Sequence, residues 1–429
     1  MKQCLHTTPK THCAAEDELP SERNNARIIR AILCIVIFGG ALLRGAYLLE
    51  LQEHADFLVP REYQTDMGFT DNSAMDMARR ARAALRLPDI TLRHERPIRW
   101  THDAESFLGR PPGYMFFLAA LYFFFGDNQT AVRVVQMALG LLAALLAYRL
   151  VKKVYSPWAG IVAAVLMTYY WPLIVYESSL HSPAFTIFAG VLFMDRAVTW
   201  AGSPTLRIPV LPGLAFSFLV LVERAIVLLL PVLLLWTAWI VLSRSAGPIF
   251  RRAIVYVVVC VVFFLLPLLP FALLKYAVSG TFMFVSYGGG ITLYIGNQPE
   301  STGYLLPGDA MLDRFLGEDE ASLEPHEKAA LVPWPEVSQA AYEETLRYIR
   351  EHPLWFIRLT LKRAVLFWTP KEMSQNITEY CDRLFSNILW RLPGNFTLVF
   401  TLFVMGLGFY ARELYRRVHG GPCPWLNCP

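Results

Sequence analysis

The 429-residue chain is 55% hydrophobic and only 17% charged, with a mean hydropathy of +0.38. This composition excludes a soluble protein with a polar surface and indicates a polytopic membrane protein whose spans are helices of about 20 residues. The net charge of +4 is small for this length and the basic residues form no continuous stripe, so nucleic acid is not expected as a partner.

The first apolar run predicts a membrane span from about Ile28 to Leu49. Arg27 and Arg30 lie at its start, and cytoplasmic ends of spans carry an excess of basic residues. We therefore expect residues 1–26, which are polar, to be a disordered cytoplasmic tail.

A second apolar stretch, Pro111 to Gly126, has only about 14 apolar residues, and roughly 17 are needed to cross a bilayer. A Pro-Pro pair at its start and Gly126 at its end are typical helix start and stop signals. We expect a juxtamembrane or re-entrant helix that stays on the outer side, within a large first outer loop, 50–130.

The remaining apolar runs complete an all-α bundle of about eight transmembrane helices with both termini inside. The predicted spans are 132–151, 158–175, one starting at 184, two within 211–242 with Glu223 and Arg224 at the turn, 254–274 and 396–410. The predicted regions are a transmembrane catalytic core (27–277, which includes the first outer loop), a second outer loop region (278–353), an interfacial helix with the last span (354–412) and a cytoplasmic tail (413–429).

The first outer loop carries the carboxylates Asp66, Asp71 and Asp76. Asp71 lies four residues before Met75 and seven before Ala78, a helical spacing that would hold its carboxylate at a helix start near the membrane surface. Such a carboxylate can act as a general base on an acceptor, or it can simply cap the helix. Spacing alone leaves both interpretations open.

Two arginines are candidates for binding a phosphate. Arg110 precedes the short apolar helix, where a guanidinium can pair with a lipid phosphate or only anchor the helix at the headgroups. Arg224 follows Glu223 inside a strongly apolar stretch, so it either pairs with that neighbour or reaches the outer surface as a phosphate ligand.

Other polar residues lie close to the hydrocarbon. Glu177 and His181 occupy a very short outer connection, where an ionisable pair is a functional candidate by default and a structural histidine is the alternative. Asn297 follows a glycine run, 288–290, which lets the backbone approach a ligand, and its amide can bond a sugar. The seven cysteines show no zinc-ligand spacing, and no metal or other cofactor is predicted.

The order of these motifs resembles the bacterial membrane glycosyltransferases of the GT-C fold, in particular the group similar to protein O-mannosyltransferases (glycosyltransferase family 39) and the lipid A aminoarabinose transferase. The resemblance extends from about Arg27 to Glu372. It rests on Asp71-x-x-x-Met75-x-x-Ala78, RPPGYMFFLAALYFFFG (110–126), LIVYESSL (173–180), LVER (221–224), GGITLYIGNQP (289–299) and YIREHP (348–353).

The resemblance implies inverting transfer of a sugar from a polyprenyl-phosphate donor to a lipid, glycan or protein acceptor, at the periplasmic face of the bacterial inner membrane. In that scheme Asp71 is the base, with Asp66 and Glu177 as further catalytic candidates. Arg110 and Arg224 hold the donor phosphate, and Tyr114, His181 and Asn297 contact substrates. The pattern requires no divalent metal, and membrane lipids are the remaining partners.

Two departures from the family pattern bear on the acids. Met75 stands where relatives carry an aromatic residue. Leu180-His181-Ser182-Pro183 replaces a segment with an acid, which leaves Glu177 as the nearest one. The alternatives to an enzyme are a transporter or flippase of a lipid-linked glycan, which usually has internal repeats that this chain lacks, and a structural membrane subunit.

Overall fold

The computed structural model describes residues 20–53, 66–88, 109–202, 210–244, 249–280, 282–303, 334–369 and 379–418, and these contain helices but no strand. The helices are α1 (Pro20–Glu53), α2 (Asp66–Ala84), α3 (Pro112–Phe125), α4 (Gln129–Val154), α5 (Pro157–Tyr169), α6 (Trp171–Ser178), α7 (Pro183–Gly202), α8 (Val210–Val222), α9 (Leu230–Arg244), α10 (Ile249–Ser279), α11 (Gly289–Asn297), α12 (Trp334–Glu351), α13 (Pro353–Phe367), α14 (Glu379–Phe385), α15 (Asn387–Trp390) and α16 (Phe396–Val418). A 3-10 turn, Arg224–Leu229, joins α8 to α9.

Among the described residues, five helices are long and apolar enough to cross a membrane, and the bent pair α5–α6 makes a sixth if it counts as one span. The other two of the eight expected spans correspond to shorter apolar helices, α8 and the first part of α16. The all-α polytopic class is confirmed. The short helix predicted over 111–126 is α3, with 14 residues.

One local expectation was wrong, and two predicted elements differ in detail. α1 begins at Pro20, so residues 20–26 are helical and not a disordered tail. The apolar part of α16 ends at Arg412, as predicted for the last span, and the helix continues to Val418 into the predicted tail. The expected single span over 158–175 is two helices bent by 51°.

The bend between α5 and α6 has a specific cause in the sequence. Pro172 has no N–H, so the carbonyl of Thr168 cannot receive its helical hydrogen bond from that residue. Arg44 of α1 donates to this carbonyl instead, with an Nη1–O distance of 3.0 Å. A side chain from another helix thus satisfies the carbonyl at the break.

The short helix α3 lies at the centre of the largest apolar cluster. Tyr114, Leu118 and Tyr122, one turn apart on one face, are buried there with residues of α1, α2, α4, α6, α7, α8 and α15. Gly113 permits close contact with α8, because a Cβ there would lie 2.7 Å from the carbonyl oxygen of Leu221. The apolar residues of this short helix are therefore accommodated by burial among other helices.

The helices α11 and α12 pack with almost no space between them. A Cβ at Gly290 would clash with the backbone carbonyl of Ser338, and the Ser338 hydroxyl donates to the carbonyl of Tyr287. This packing fixes the segment 287–290 against α12.

Charged residues join α4 to α7 near the last residues of α4, at the end of that helix far from α3. Lys153 near the end of α4 contacts Asp195 of α7, with an Nζ–Oδ1 distance of 2.6 Å, and Arg196 contacts the same carboxylate. Since both contacts lie in the later halves of their helices, α4 and α7 run in the same direction.

The segment 379–395 attaches the last span to the first half of the bundle. Glu50 of α1 accepts hydrogen bonds from the hydroxyl of Ser386 and from the N–H of Asn387, the latter at 2.7 Å. The indole N–H of Trp171 donates to the carbonyl of Gly394 at 2.6 Å. Arg383 lies over the Trp171 ring, 4.9 Å from its centroid.

Candidate functional site

A basic cluster, defined here as Arg110, Arg224 and Lys275, forms where the start of α3, the α8–α9 turn and the end of α10 meet. Arg224 donates to the carbonyl of Gly109 at 3.1 Å and to the hydroxyls of Ser286 and Thr292 at 2.9 and 2.7 Å. Its neighbour Glu223 accepts from the N–H of Ala225 as a helix cap. The hydrogen bonds of Arg224 therefore hold it among the outer-loop motifs.

Glycines permit this approach of three chain segments. A Cβ at Gly288 would overlap the Arg224 guanidinium, and a Cβ at Gly109 would lie 2.9 Å from the hydroxyl oxygen of Tyr287. Gly288, the first glycine of the run at 288–290, thus lies directly against the guanidinium, and its lack of a side chain permits this close packing.

Lys275 is the member of the cluster that the sequence analysis missed. It is fully buried, and its ammonium donates to the carbonyl of Arg110 at 2.9 Å and to the carbonyl of Val285. The available signal was a lone lysine inside a long apolar helix, since ionisable residues in spans are rare and usually functional.

Arg224 is the central cation of the cluster and lies close enough to each of the other two for repulsion. The charge of Arg110 acts on Arg224, and the charge of Arg224 acts on Lys275. Gathering like charges costs free energy that an anion can offset. The cluster is therefore suited to bind a negatively charged group, and guanidinium forks match phosphate oxygens.

Asp71 lies at the other end of α3. Its carboxylate is fully buried, accepts from the hydroxyl of Tyr122, and has Gln129 Nε2 at 3.4 Å. The expected position at a helix start is wrong, because α2 begins five residues earlier at Asp66 and Asp71 is in its second turn. Ala74, Met75 and Ala78 share its face and are buried too, so Asp71 is an acid on an apolar helix face.

The two charged centres are separated along α3. Tyr122 lies ten residues after Pro112, which corresponds to a rise of about 15 Å. The structure brings Arg110 and Arg224 together and places Asp71 at the opposite end of the same helix.

Glu177, the second acid candidate, forms a buried bidentate pair with Arg44. The Nε–Oε2 distance is 2.6 Å and the Nη2–Oε1 distance is 2.8 Å, and the two side chains are only 2% and 4% exposed. Gly140 of α4 leaves the space for this carboxylate, since a Cβ there would overlap it. All of these contacts are between helices.

The remaining candidates occupy different places. The Tyr114 hydroxyl donates to Gln136 at 2.8 Å, and the Gln136 amide donates to the carbonyls of Glu177 and Ser179 at 3.0 and 2.6 Å. His181, half-buried, accepts from the N–H of Ser182 through Nδ1 at 2.7 Å. Tyr114 therefore joins α3 to the loop that contains His181.

Asn297 is the last residue of α11. It lies five residues after Thr292, whose hydroxyl accepts a hydrogen bond from Arg224 of the basic cluster. It is buried, and its side-chain oxygen accepts from Arg363 of α13 at 2.9 Å. Burial lowers the pKa of the Arg363 guanidinium, which still carries its proton at neutral pH. The two ends of α11 thus each contact an arginine.

Asp76 forms an exposed ion pair with Arg80, Nε–Oδ2 2.6 Å. Within the part of the chain that the structure describes, no group of three or more His, Cys, Asp or Glu side chains lies close enough together to hold a metal ion.

A family model described as dolichyl-phosphate-mannose-protein mannosyltransferase matches residues 109–272. The match begins one residue before Arg110 and includes Tyr114, Glu177, His181 and Arg224, whereas Asp71, Lys275 and Asn297 lie outside it. A search of curated proteins and a search of solved structures each gave no match. The family match, together with the apolar helices, supports an integral membrane transferase of the GT-C glycosyltransferase type.

Proposed function

We propose that this chain is a GT-C type membrane glycosyltransferase that moves a sugar from a polyprenyl-phosphate donor to an acceptor hydroxyl or amine, and the match of residues 109–272 to the mannosyltransferase family model supports this. The observation that carries the proposal is the basic cluster of Arg110, Arg224 and Lys275 beside a short buried helix. A lipid phosphate is an anion that can reach such a cluster from within the membrane.

In the proposed reaction the acceptor attacks the anomeric carbon of the donor from the face opposite the phosphate, so that the configuration inverts. The bond between the anomeric carbon and the phosphate oxygen breaks, and the oxygen keeps the electron pair. The proton of the acceptor passes to a carboxylate, for which we propose Asp71. Positioned cations stabilise the charge that develops on the departing phosphate.

The same assignment gives the other residues their proposed functions. Tyr122 donates to Asp71 and thereby orients the base. Tyr114, His181 and Asn297 are the proposed substrate contacts. The sugar and acceptor would lie along α3 between the base and the phosphate.

The orientation of the site in the membrane is also a proposal. Lys152 and Lys153 end α4, and Arg251 and Arg252 start α10, whereas Lys275 lies near the other end of α10. Because cytoplasmic ends of spans are enriched in basic residues, the basic cluster is assigned to the opposite, periplasmic face of a bacterial inner membrane.

The deciding experiment measures transfer of labelled sugar from a panel of polyprenyl-phosphate sugars in membranes containing wild-type protein, Asp71→Asn or Arg224→Gln at matched expression. We expect transfer by the wild type and its loss in both variants. Asp76→Asn is the matched control, because this acid lies on the same helix but is paired at the surface.

Full activity of Asp71→Asn with loss in Asp66→Asn or Glu177→Gln would move the base to that residue. Absence of transfer by the wild type with every donor, combined with movement of a lipid-linked glycan across vesicles, would overturn the enzyme in favour of a transporter.

A further inference from the structure

We propose that Lys275 is a positioning residue that holds Arg110 and Arg224 in register around the donor phosphate, an inference that rests on the proposed function. Lys275 is in the later part of α10, and its buried ammonium donates to two backbone carbonyls, those of Arg110 and Val285. These carbonyls belong to segments far apart in the chain.

The contacts of Lys275 parallel those of Arg224. Arg224 donates to the carbonyl of Gly109, and Lys275 donates to the carbonyl of the next residue, Arg110. Arg224 also donates to the hydroxyl of Ser286, and Lys275 donates to the carbonyl of the preceding residue, Val285. Two cations thus join the same two pairs of consecutive residues, 109–110 and 285–286.

The burial of Lys275 has a free-energy cost. Burying an ammonium requires loss of its hydration, and the nearby Arg224 adds repulsion. The two hydrogen bonds to the carbonyls of Arg110 and Val285 offset part of this cost and hold the Lys275 side chain between the two segments.

The consequence is a division of tasks within the cluster. The guanidinium groups of Arg110 and Arg224 contact the phosphate, whereas Lys275 acts through them. It fixes the backbone from which Arg110 extends and the segment that supplies Ser286 to Arg224. Its positive charge also adds to the attraction for the phosphate without direct contact.

The test measures binding of farnesyl phosphate and of neutral farnesol to purified wild-type protein, Lys275→Met and Lys275→Gln in detergent, by intrinsic tryptophan fluorescence. We expect Lys275→Met to lower the affinity for farnesyl phosphate by about tenfold or more and to leave that for farnesol unchanged. Lys275→Gln keeps N–H donors but not the charge, so its affinity for farnesyl phosphate should lie between those of the wild type and Lys275→Met. Cys260→Ala, a change at a buried position on the same helix, is the control and should bind as wild type.

Combining Lys275→Gln with Arg110→Gln tests the positioning role. We expect Arg110→Gln to lower the affinity for farnesyl phosphate less in the Lys275→Gln variant than in the wild type, because both residues act on the same placement of the phosphate ligands. Additive losses, equal losses for the charged and neutral ligands, or unchanged binding by a folded variant would each overturn the inference. If Lys275→Met fails to fold, Lys275→Gln and the double variant give the same decision.

Binding and transfer separate this inference from the proposed function. Farnesyl phosphate binding that depends on Lys275, in a protein that transfers no sugar, would support the inference and reject the enzyme. Sugar transfer at an unchanged rate in the Lys275 variants would support the enzyme and reject the inference.

Discussion

Replacing Glu177 with alanine is expected to destabilise the bundle strongly, because it leaves the Arg44 guanidinium buried without its carboxylate. The pair makes two hydrogen bonds of 2.6 and 2.8 Å at side chains that are almost inaccessible. Removal of one partner of such a pair costs about 3–5 kcal/mol in the free energy of unfolding. The break between α5 and α6 would also lose support, since the same guanidinium holds the Thr168 carbonyl.

The double variant Arg44→Met with Glu177→Met should recover part of this loss, because no charge then remains buried, whereas the Thr168 carbonyl still lacks its donor. The free energy of unfolding would be followed by titration with sodium dodecyl sulfate, using helix content as the signal. Asp76→Ala, which breaks an exposed pair with Arg80, is the control and should cost less than about 1 kcal/mol.

The reasoning is refuted if Glu177→Gln unfolds as the wild type does but transfers no sugar. Glu177 would then act in the chemistry, as the sequence motif indicated, and not in joining α1 to α6. Equal stability of Glu177→Ala and wild type would likewise contradict the structural role.

Three further outcomes are expected. Tyr122→Phe should lower the rate of sugar transfer by about tenfold while binding of farnesyl phosphate is kept, because the hydroxyl that donates to Asp71 is lost; an unchanged rate would show that this hydrogen bond does not orient the base. Gly290→Ala should lower both the thermal midpoint of unfolding and the affinity for farnesyl phosphate, because the new methyl group meets the Ser338 carbonyl. Gly289→Ala is the control and should have neither effect, because the space around its Cβ is open. Gly213→Ala should lower the thermal midpoint, because its Cβ would lie 2.6 Å from the carbonyl oxygen of Cys260, and equal midpoints would contradict the close packing of α8 on α10.

The features that the sequence predicted are those that depend on local composition. Hydropathy located the spans, and the Pro-Pro pair and Gly126 located α3 to within a residue at each end. Glu223 and Arg224 interrupt an apolar stretch, and the structure indeed has its break there.

The features that the sequence did not predict depend on contacts between distant residues. The Arg44–Glu177 pair joins positions 133 residues apart, and no local pattern distinguishes such a pair from a catalytic acid. Lys275 was missed although a lone lysine in an apolar helix is a local signal, because averaging over an apolar window hides a single charge, and its contacts with residues 110 and 285 appear only in the structure. Asp71 was placed at a helix start from its spacing to Met75 and Ala78, but this spacing does not show where the helix begins, and the helix starts at Asp66.

The attachment of segment 379–395 to α1 and α6 bears on how the chain is made. Glu50 and Trp171 emerge from the ribosome long before their partners Asn387 and Gly394. An acid and an indole therefore lack these partners until residues 379–395 have been made. A product that stops before residue 379 would leave the Glu50 carboxylate and the Trp171 indole without these hydrogen bonds, and membrane proteolysis could use such groups to recognise an unfinished molecule.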